Sequence, residues 1–327
     1  MTTFKEIRGN LIKSTSTDPA NPQEGQIWYN STSQVLKGEE LLGAWSSAPS
    51  VSNTPRIFSG GDGPPTAAWV AGGGASPGGA ISTTEEYNGS AWTAGGGLPG
   101  ARYGQGGTGS QTAALIFNGN TGSITNSALE YNGTSWGSPT TVPSASQYVN
   151  RAGTQTAALA FGGANPGSTT LNFTAEYNGS SWTTGGNMAT GNEYGAGTGT
   201  LTAALSAGGY VQGPGSIAVS QEYNGSTWTS GNPINTNRFN LNGFGIQTAA
   251  VIAGGNAPSV PGATTETETY DGTTFTVSSA TMATARNGAT AMGQNSGPAS
   301  AGWIVGLSPA ATEEYSLAPT TRTFTTS

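Results

Sequence analysis

Five glutamates recur in register, 44, 46, 46 and then 92 residues apart: Glu86, Glu130, Glu176, Glu222 and Glu314. Carboxylates can cleave glycosidic bonds, but that chemistry needs two of them in unlike environments, about 5–10 Å apart across one sugar. These glutamates stand one per repeat in equivalent settings, which predicts a structural role, with arginine as the expected partner. Gly104-Gln-Gly-Gly-Thr-Gly109 matches the spacing of a dinucleotide-binding loop. It occupies a strand position and no helix follows it, so nucleotide binding is not expected. Asn88, Asn132, Asn178 and Asn224 each head an Asn-Gly-Ser or Asn-Gly-Thr triplet, formally a glycan acceptor. Asn-Gly is also a favoured hairpin turn, and Asp271-Gly272 replaces it in one copy, so the turn is the preferred reading. Gly60-Gly-Asp-Gly63 offers one carboxylate, too few for a calcium site.

The sequence contains no histidine and no cysteine. Histidine acid–base catalysis, thiolate chemistry, disulfides and the usual zinc sites are therefore excluded. No metal or other cofactor is expected, and no enzymatic activity. A net charge of −7 argues against nucleic acid as a partner. All three lysines (Lys5, Lys13 and Lys37) lie near the N-terminus, which leaves arginine as the cation of the rest. No run approaches membrane-spanning length and no signal-like N-terminal core is apparent, so membrane insertion is not expected.

The glutamates belong to a longer repeat. Glu130-Tyr-Asn-Gly-Thr-Ser-Trp136 recurs around Tyr87, Tyr177 and Tyr223, with weaker copies at Tyr270 and Tyr315. Successive tyrosines are therefore 44, 46, 46, 47 and 45 residues apart. Each unit reads as a Gly-rich strand, an apolar strand such as Thr112–Phe117, a polar loop, a strand ending in tyrosine, an Asn-Gly turn and a strand begun by an aromatic. Four short antiparallel strands in about 45 residues, repeated, predict an all-β propeller. The pairs Tyr87 and Trp92, Tyr131 and Trp136, Tyr177 and Trp182, Tyr223 and Trp228, and Tyr270 and Phe275 are expected to pack between blades. Glycine in the innermost strands permits close approach at the axis.

Residues 1–46 are expected to form an attachment arm and hairpin, and 47–327 the propeller. Residues 1–10 read as a strand or arm, 14–22 as a connector and 26–37 as a hairpin. Trp45 lies 47 residues before Trp92, in phase with the repeat. Six blades are favoured, with the Trp45 segment closing the last one. Seven blades result if residues 25–48 form a degenerate blade and Phe324 ends the final unit.

The order of arginine, Gly-rich strand, apolar strand with Gly-Gly, tyrosine and tryptophan resembles the kelch repeat over residues 47–327, as in Arg102, Asn118-Gly119, Tyr131 and Trp136. Gln147 and Glu193 stand where the third and fourth units would carry the arginine. The segment Gly25–Gly38 with Gly43-Ala-Trp45 resembles a short stretch in structural proteins of tailed bacteriophages. The Thr/Ala/Gly-rich, lysine-free repeats also resemble kelch-like virion and tail-fibre proteins of marine cyanophages.

This resemblance implies a non-enzymatic virion protein, made in the host cytoplasm and acting as an appendage adhesin. Residues 1–46 would contact other virion proteins, and the loop-rich face would bind a host cell-surface glycan or protein. A capsid-decorating or tail-assembly protein and a propeller hydrolase acting on host polysaccharide are the alternatives. The candidate ligand-binding residues are Tyr103, Tyr148, Tyr194 and Phe239, at the start of four Gly-rich strands. Tyr210 and Phe173, from the variable loops between second and third strands, are counted with them. Exposed aromatic faces among Asn, Ser and Thr suit sugars. The opposing reading turns these rings inward to fill the channel or the space between blades.

Overall fold

The computed structural model describes residues 12–51, 56–75, 79–137, 140–258, 262–293, 299–306 and 312–324. Every regular element among them is a β-strand. Among the described residues no helix is long and apolar enough to cross a membrane.

The larger of two compact units runs from Trp45 to Ser316. Each repeat in it folds as an antiparallel sheet. The second repeat pairs Gly106–Ser110 with Ala113–Phe117, then Ser127–Tyr131, then Thr140–Thr141. Gly60–Asp62, Asn150–Thr154, Ala196–Thr200 and Asn242–Ile246 begin the equivalent sheets, and Thr290–Gly293 begins the last. These innermost strands touch in cyclic order, the last against the first, so the sheets close around an axis. The all-β class and the propeller architecture are as the repeat predicts. Close approach at the axis explains the glycines there. A Cβ on Gly107 would lie 2.7 Å from the Gly60 Cα.

The last sheet takes its outer strand from the other end of the chain. Its order is Thr290–Gly293, Ala301–Val305, Thr312–Phe324, then Val35–Ala48. Trp45 donates its indole N–H to Thr267 Oγ1 at 2.9 Å. Trp136 and Trp228 make the same bond to Thr84 and Thr174. Trp45 therefore holds the aromatic position of this sheet, and Phe324, the other candidate, lies in the second unit. Residues 25–48 supply no innermost strand.

The aromatic pairs pack between neighbouring sheets. Trp136 meets Trp69, Trp182 meets Phe117 and Trp228 meets Phe161, with centroids 4.8–5.7 Å apart. Tyr87, Tyr131, Tyr177, Tyr223 and Tyr270 are buried beside their own Trp or Phe partners.

The recurring glutamates pair differently from expectation. Tyr131, Tyr177 and Tyr270 donate their hydroxyls to Glu86, Glu130 and Glu222 of the preceding sheet at 2.5–2.7 Å, and Tyr223 donates to Glu176. Burial, then the neighbouring carboxylate, pushes the Tyr177 and Tyr223 phenols up to about 12. Arginine instead takes the preceding acid in the strand, because adjacent residues point to opposite faces. Arg238 donates to Glu268 at 2.6 Å and Arg286 to Glu313 at 3.0 Å, and Arg56 pairs with Glu85. All six of these side chains are buried.

These arginines also donate to backbone carbonyls at the end of the apolar strand, as Arg238 does to Gly254 at 2.8 Å. Asn192 makes that bond to Gly208 at 2.7 Å. The arginine position in the third and fourth sheets is thus Ser146 and Asn192, one residue before the Gln147 and Glu193 expected from sequence.

The Asn-Gly turns are not the two-residue hairpin turns that this residue pair usually forms. Tyr87 pairs with Trp92, which leaves a four-residue loop. Only its glycine has positive φ (Gly89, +91°). Asn88 Oδ1 accepts from the Ser90 and Ala91 N–H groups at 3.0 and 2.9 Å. Asp271 does the same, which explains its substitution for asparagine.

The second unit comprises, among the described residues, 12–44 and 317–324. The stretch 317–324, expected to belong with the propeller, groups with the N-terminal residues, although its strand begins at Thr312 in the last sheet. The expected hairpin forms from Ile27–Asn30 and Val35–Ala48, with Ile27 opposite Gly38. Ser14 and Thr15, at the start of the expected connector, belong to a strand, Lys13–Thr15, parallel to Trp28–Asn30. Asp18 accepts hydrogen bonds from Trp28, Asn30 and Lys37 at 2.6–3.0 Å. These bonds, that from Lys37 foremost, hold its carboxyl at about 2. The arm expected at residues 1–10 lies outside the described residues.

Candidate functional site

One backbone ring organises the loop-bearing end of the channel. Phe58, Gly104, Tyr148, Tyr194, Asn240 and Gly288 occupy the same position in successive sheets, all with φ between +53° and +67°. The N–H of Gly104 donates to Phe58 O at 2.8 Å, and Tyr148 to Gly104 O at 2.6 Å. Tyr194, Asn240, Gly288 and Phe58 continue the pattern at 2.8–3.3 Å until the circle closes. Glycine and asparagine adopt left-handed backbone readily, whereas a bulky residue held there costs on the order of 1–3 kcal/mol. Phe58, Tyr148 and Tyr194 bear that cost and are held by the ring's hydrogen bonds.

Their side chains converge. Tyr148 and Tyr194 stack with centroids 4.1 Å apart, and Phe58 lies 5.2 and 5.7 Å from them. Tyr103 joins at 6.3 Å from Tyr148, and Phe239 at 6.4 Å from Tyr194. Tyr210 packs 5.5 Å from Phe239. Five of the six residues selected from sequence thus form one half-exposed cluster. Phe173 does not join it. It packs against the inter-sheet core around Phe117 and Trp182.

Phe58 was missed. The sequence signal for it is its distance from Gly104 and Tyr148, which only a count between equivalent positions reveals. That count also shows that the aromatics occupy two successive positions. Tyr148 and Tyr194 belong to the ring, whereas Tyr103 and Phe239 precede it and bridge to Asn120 and Asn256 at the start of the variable loops. The end of the strand expected to share a face with those loops does so.

A depression of about 340 Å3 opens beside the cluster. Phe58, Tyr148, Tyr194, Tyr210 and Phe239 line it together with Glu193. Glu193 is 6% exposed and accepts a long 3.4 Å hydrogen bond from Thr170. Burial raises its carboxyl above the usual range. Burial also raises the phenols of the stacked Tyr148 and Tyr194. The site offers aromatic faces, phenolic hydroxyls, amides and one carboxylate. Such a set suits binding. Among the described residues no group of three or more acidic side chains is placed to hold a metal ion.

Below the ring lies a cavity of about 90 Å3. Arg151 reaches across the axis, with Nη2 3.1 Å from Gly61 O and Nη1 3.5 Å from Gly197 O. Asp62, buried at the far end, accepts from the Gly63 and Gly109 N–H groups at 2.9 Å and from Thr108 at 3.1 Å. Burial raises the Asp62 carboxyl, while nearby Arg151 and these donors oppose the shift.

Sheets closed around an axis, with loops gathered at one mouth, define a β-propeller. The chain is similar to the solved structure of YjhT, at 13% sequence identity and a TM-score of 0.67, over 84% of this chain and 99% of that chain. At that identity the likeness concerns the fold alone. No protein-family model matches the chain, and no curated protein does.

Proposed function

We propose that the chain is a non-enzymatic, kelch-like virion protein of a tailed bacteriophage, acting as a tail-fibre or similar appendage adhesin. In this reading the propeller has six blades, and the strand bearing Trp45 completes the last. Residues 1–46 attach to other virion proteins. The loop-rich face binds the host surface, with a glycan as the favoured ligand. The observation that carries the reading is the half-exposed aromatic cluster with its adjoining depression, on the face where the loops differ from unit to unit. Loops on a constant scaffold are a common place for recognition. Aromatic faces bordered by amides and hydroxyls complement the apolar CH faces and hydroxyls of a sugar.

Competition for adsorption tests this. Excess purified protein should slow phage attachment to host cells, and a Tyr194→Ala/Phe239→Ala double variant, checked for retained folding, should compete at least about tenfold less well. Normal adsorption in saturating protein would reject the adhesin reading in favour of a capsid or tail-assembly role.

A further inference from the structure

We infer that the depression beside the ring selects a glycan bearing a free, protonated amine, an amino sugar without its acetyl group. This rests on the reading of that face as glycan-binding and adds the charge class of the ligand.

Three observations carry it. First, Glu193 is the single charged group among the described residues lining the depression. Its recessed carboxylate has only the long bond from Thr170. A carboxylate kept from water costs free energy that an incoming cation offsets. Second, Asn240 Oδ1, buried with no hydrogen-bond partner, belongs to a residue at the boundary of this depression and the cavity below the ring. Two acceptors lacking good donors match an ammonium, which brings three N–H donors and a positive charge. A carboxylated or sulfated sugar would meet repulsion.

Third, most of the depression's lining comes from the two sheets that lack the arginine found in the others. Ser146 and Asn192 take its place there, and Arg238 of the next sheet is committed to Glu268, so no arginine of that series competes for Glu193. The aromatic residues complete the fit. Tyr194, Tyr210 and Phe239 offer faces to the sugar's CH groups, and an ammonium near a ring face gains further attraction.

The test is a calorimetric or NMR titration of the full-length protein with chitosan oligosaccharides and with N-acetylated chitin oligosaccharides of equal length. The two differ in the amine and its charge while sharing linkage and ring faces. The amine form should bind at least about tenfold more tightly, and salt should weaken it. Glu193→Gln should reduce that preference to near unity. Phe239→Ala should weaken both oligosaccharides. Equal binding of the two forms, preference for the acetylated form, or no saturable binding by either would overturn the inference. Protein that competes for adsorption yet shows any of these results leaves the adhesin reading standing. Amine-selective binding without adsorption competition rejects the adhesin reading alone.

Discussion

Arg238 and Glu268 show how single residues are used. Both are fully buried, and the carboxylate also accepts from the N–H and amide of Asn235 at 2.8 and 2.7 Å. Removing one partner of such a pair leaves a charge with nothing to offset its desolvation. Arg238→Met should therefore destabilise the propeller by about 3–5 kcal/mol in urea unfolding. Arg102 provides the contrast. Leu129 stands where Glu268 stands in the fifth sheet, and burial without a carboxylate pulls the Arg102 pKa down to about 10. Arg102 donates instead to the carbonyls of Asn118 and Ser127. Arg102→Met strands no carboxylate and should cost about 1–3 kcal/mol, the price of unmade hydrogen bonds. Equal losses for the two variants would show that the carbonyl bonds, and not the ion pairs, set the cost. Where the arginine is missing, the acid at that strand position is missing too: Asn192 is matched by Gln221 and Ser146 by Ala175, so no buried carboxylate at that position is left without its cation.

At the scale of elements, the strand carrying Trp45 closes the last sheet. Trp45 packs edge-on to Tyr315 and Phe244, with centroids 5.2 and 6.3 Å away. Trp45→Ala should cost about 3–5 kcal/mol through lost burial and the cavity left behind. Hydrogen exchange should accelerate first in 45–48 and 312–316, before the interior sheets. Uniform acceleration throughout the ring would show that this strand is no weaker a seam than any other. The phase of Trp45 was legible because the repeat is strict at its aromatic positions. Less strict positions were harder to read. Tyr103 and Tyr148 look equivalent in sequence, yet one precedes the ring and the other belongs to it. Glu85 and Glu86 are neighbours of one type, and only strand alternation separates the acid that meets arginine from the acid that meets the next sheet's tyrosine. The return of residues 317–324 to the N-terminal unit leaves no mark in composition, since the strand from Thr312 continues without a break.

At the scale of the molecule, the backbone ring ties all the sheets together at one mouth. Its amides, those of Phe58, Gly104, Tyr148, Tyr194, Asn240 and Gly288, should exchange with solvent as a set, through one shared opening. Native-state exchange by NMR would show this as matching free energies, and widely scattered values would mean that the links open one by one. The direction of the links matters as well. Every N–H points the same way around the axis. In a helix such peptide dipoles, each about 3.5 D, add along a line and give the N-terminus a positive end that attracts anions. Around a closed circle the same vectors cancel. The mouth thus has six backbone donors and no pole, and its amide hydrogens are already taken. The polarity of the entrance is left to its side chains, and there the negative carboxylate of Glu193 has no opposing pole.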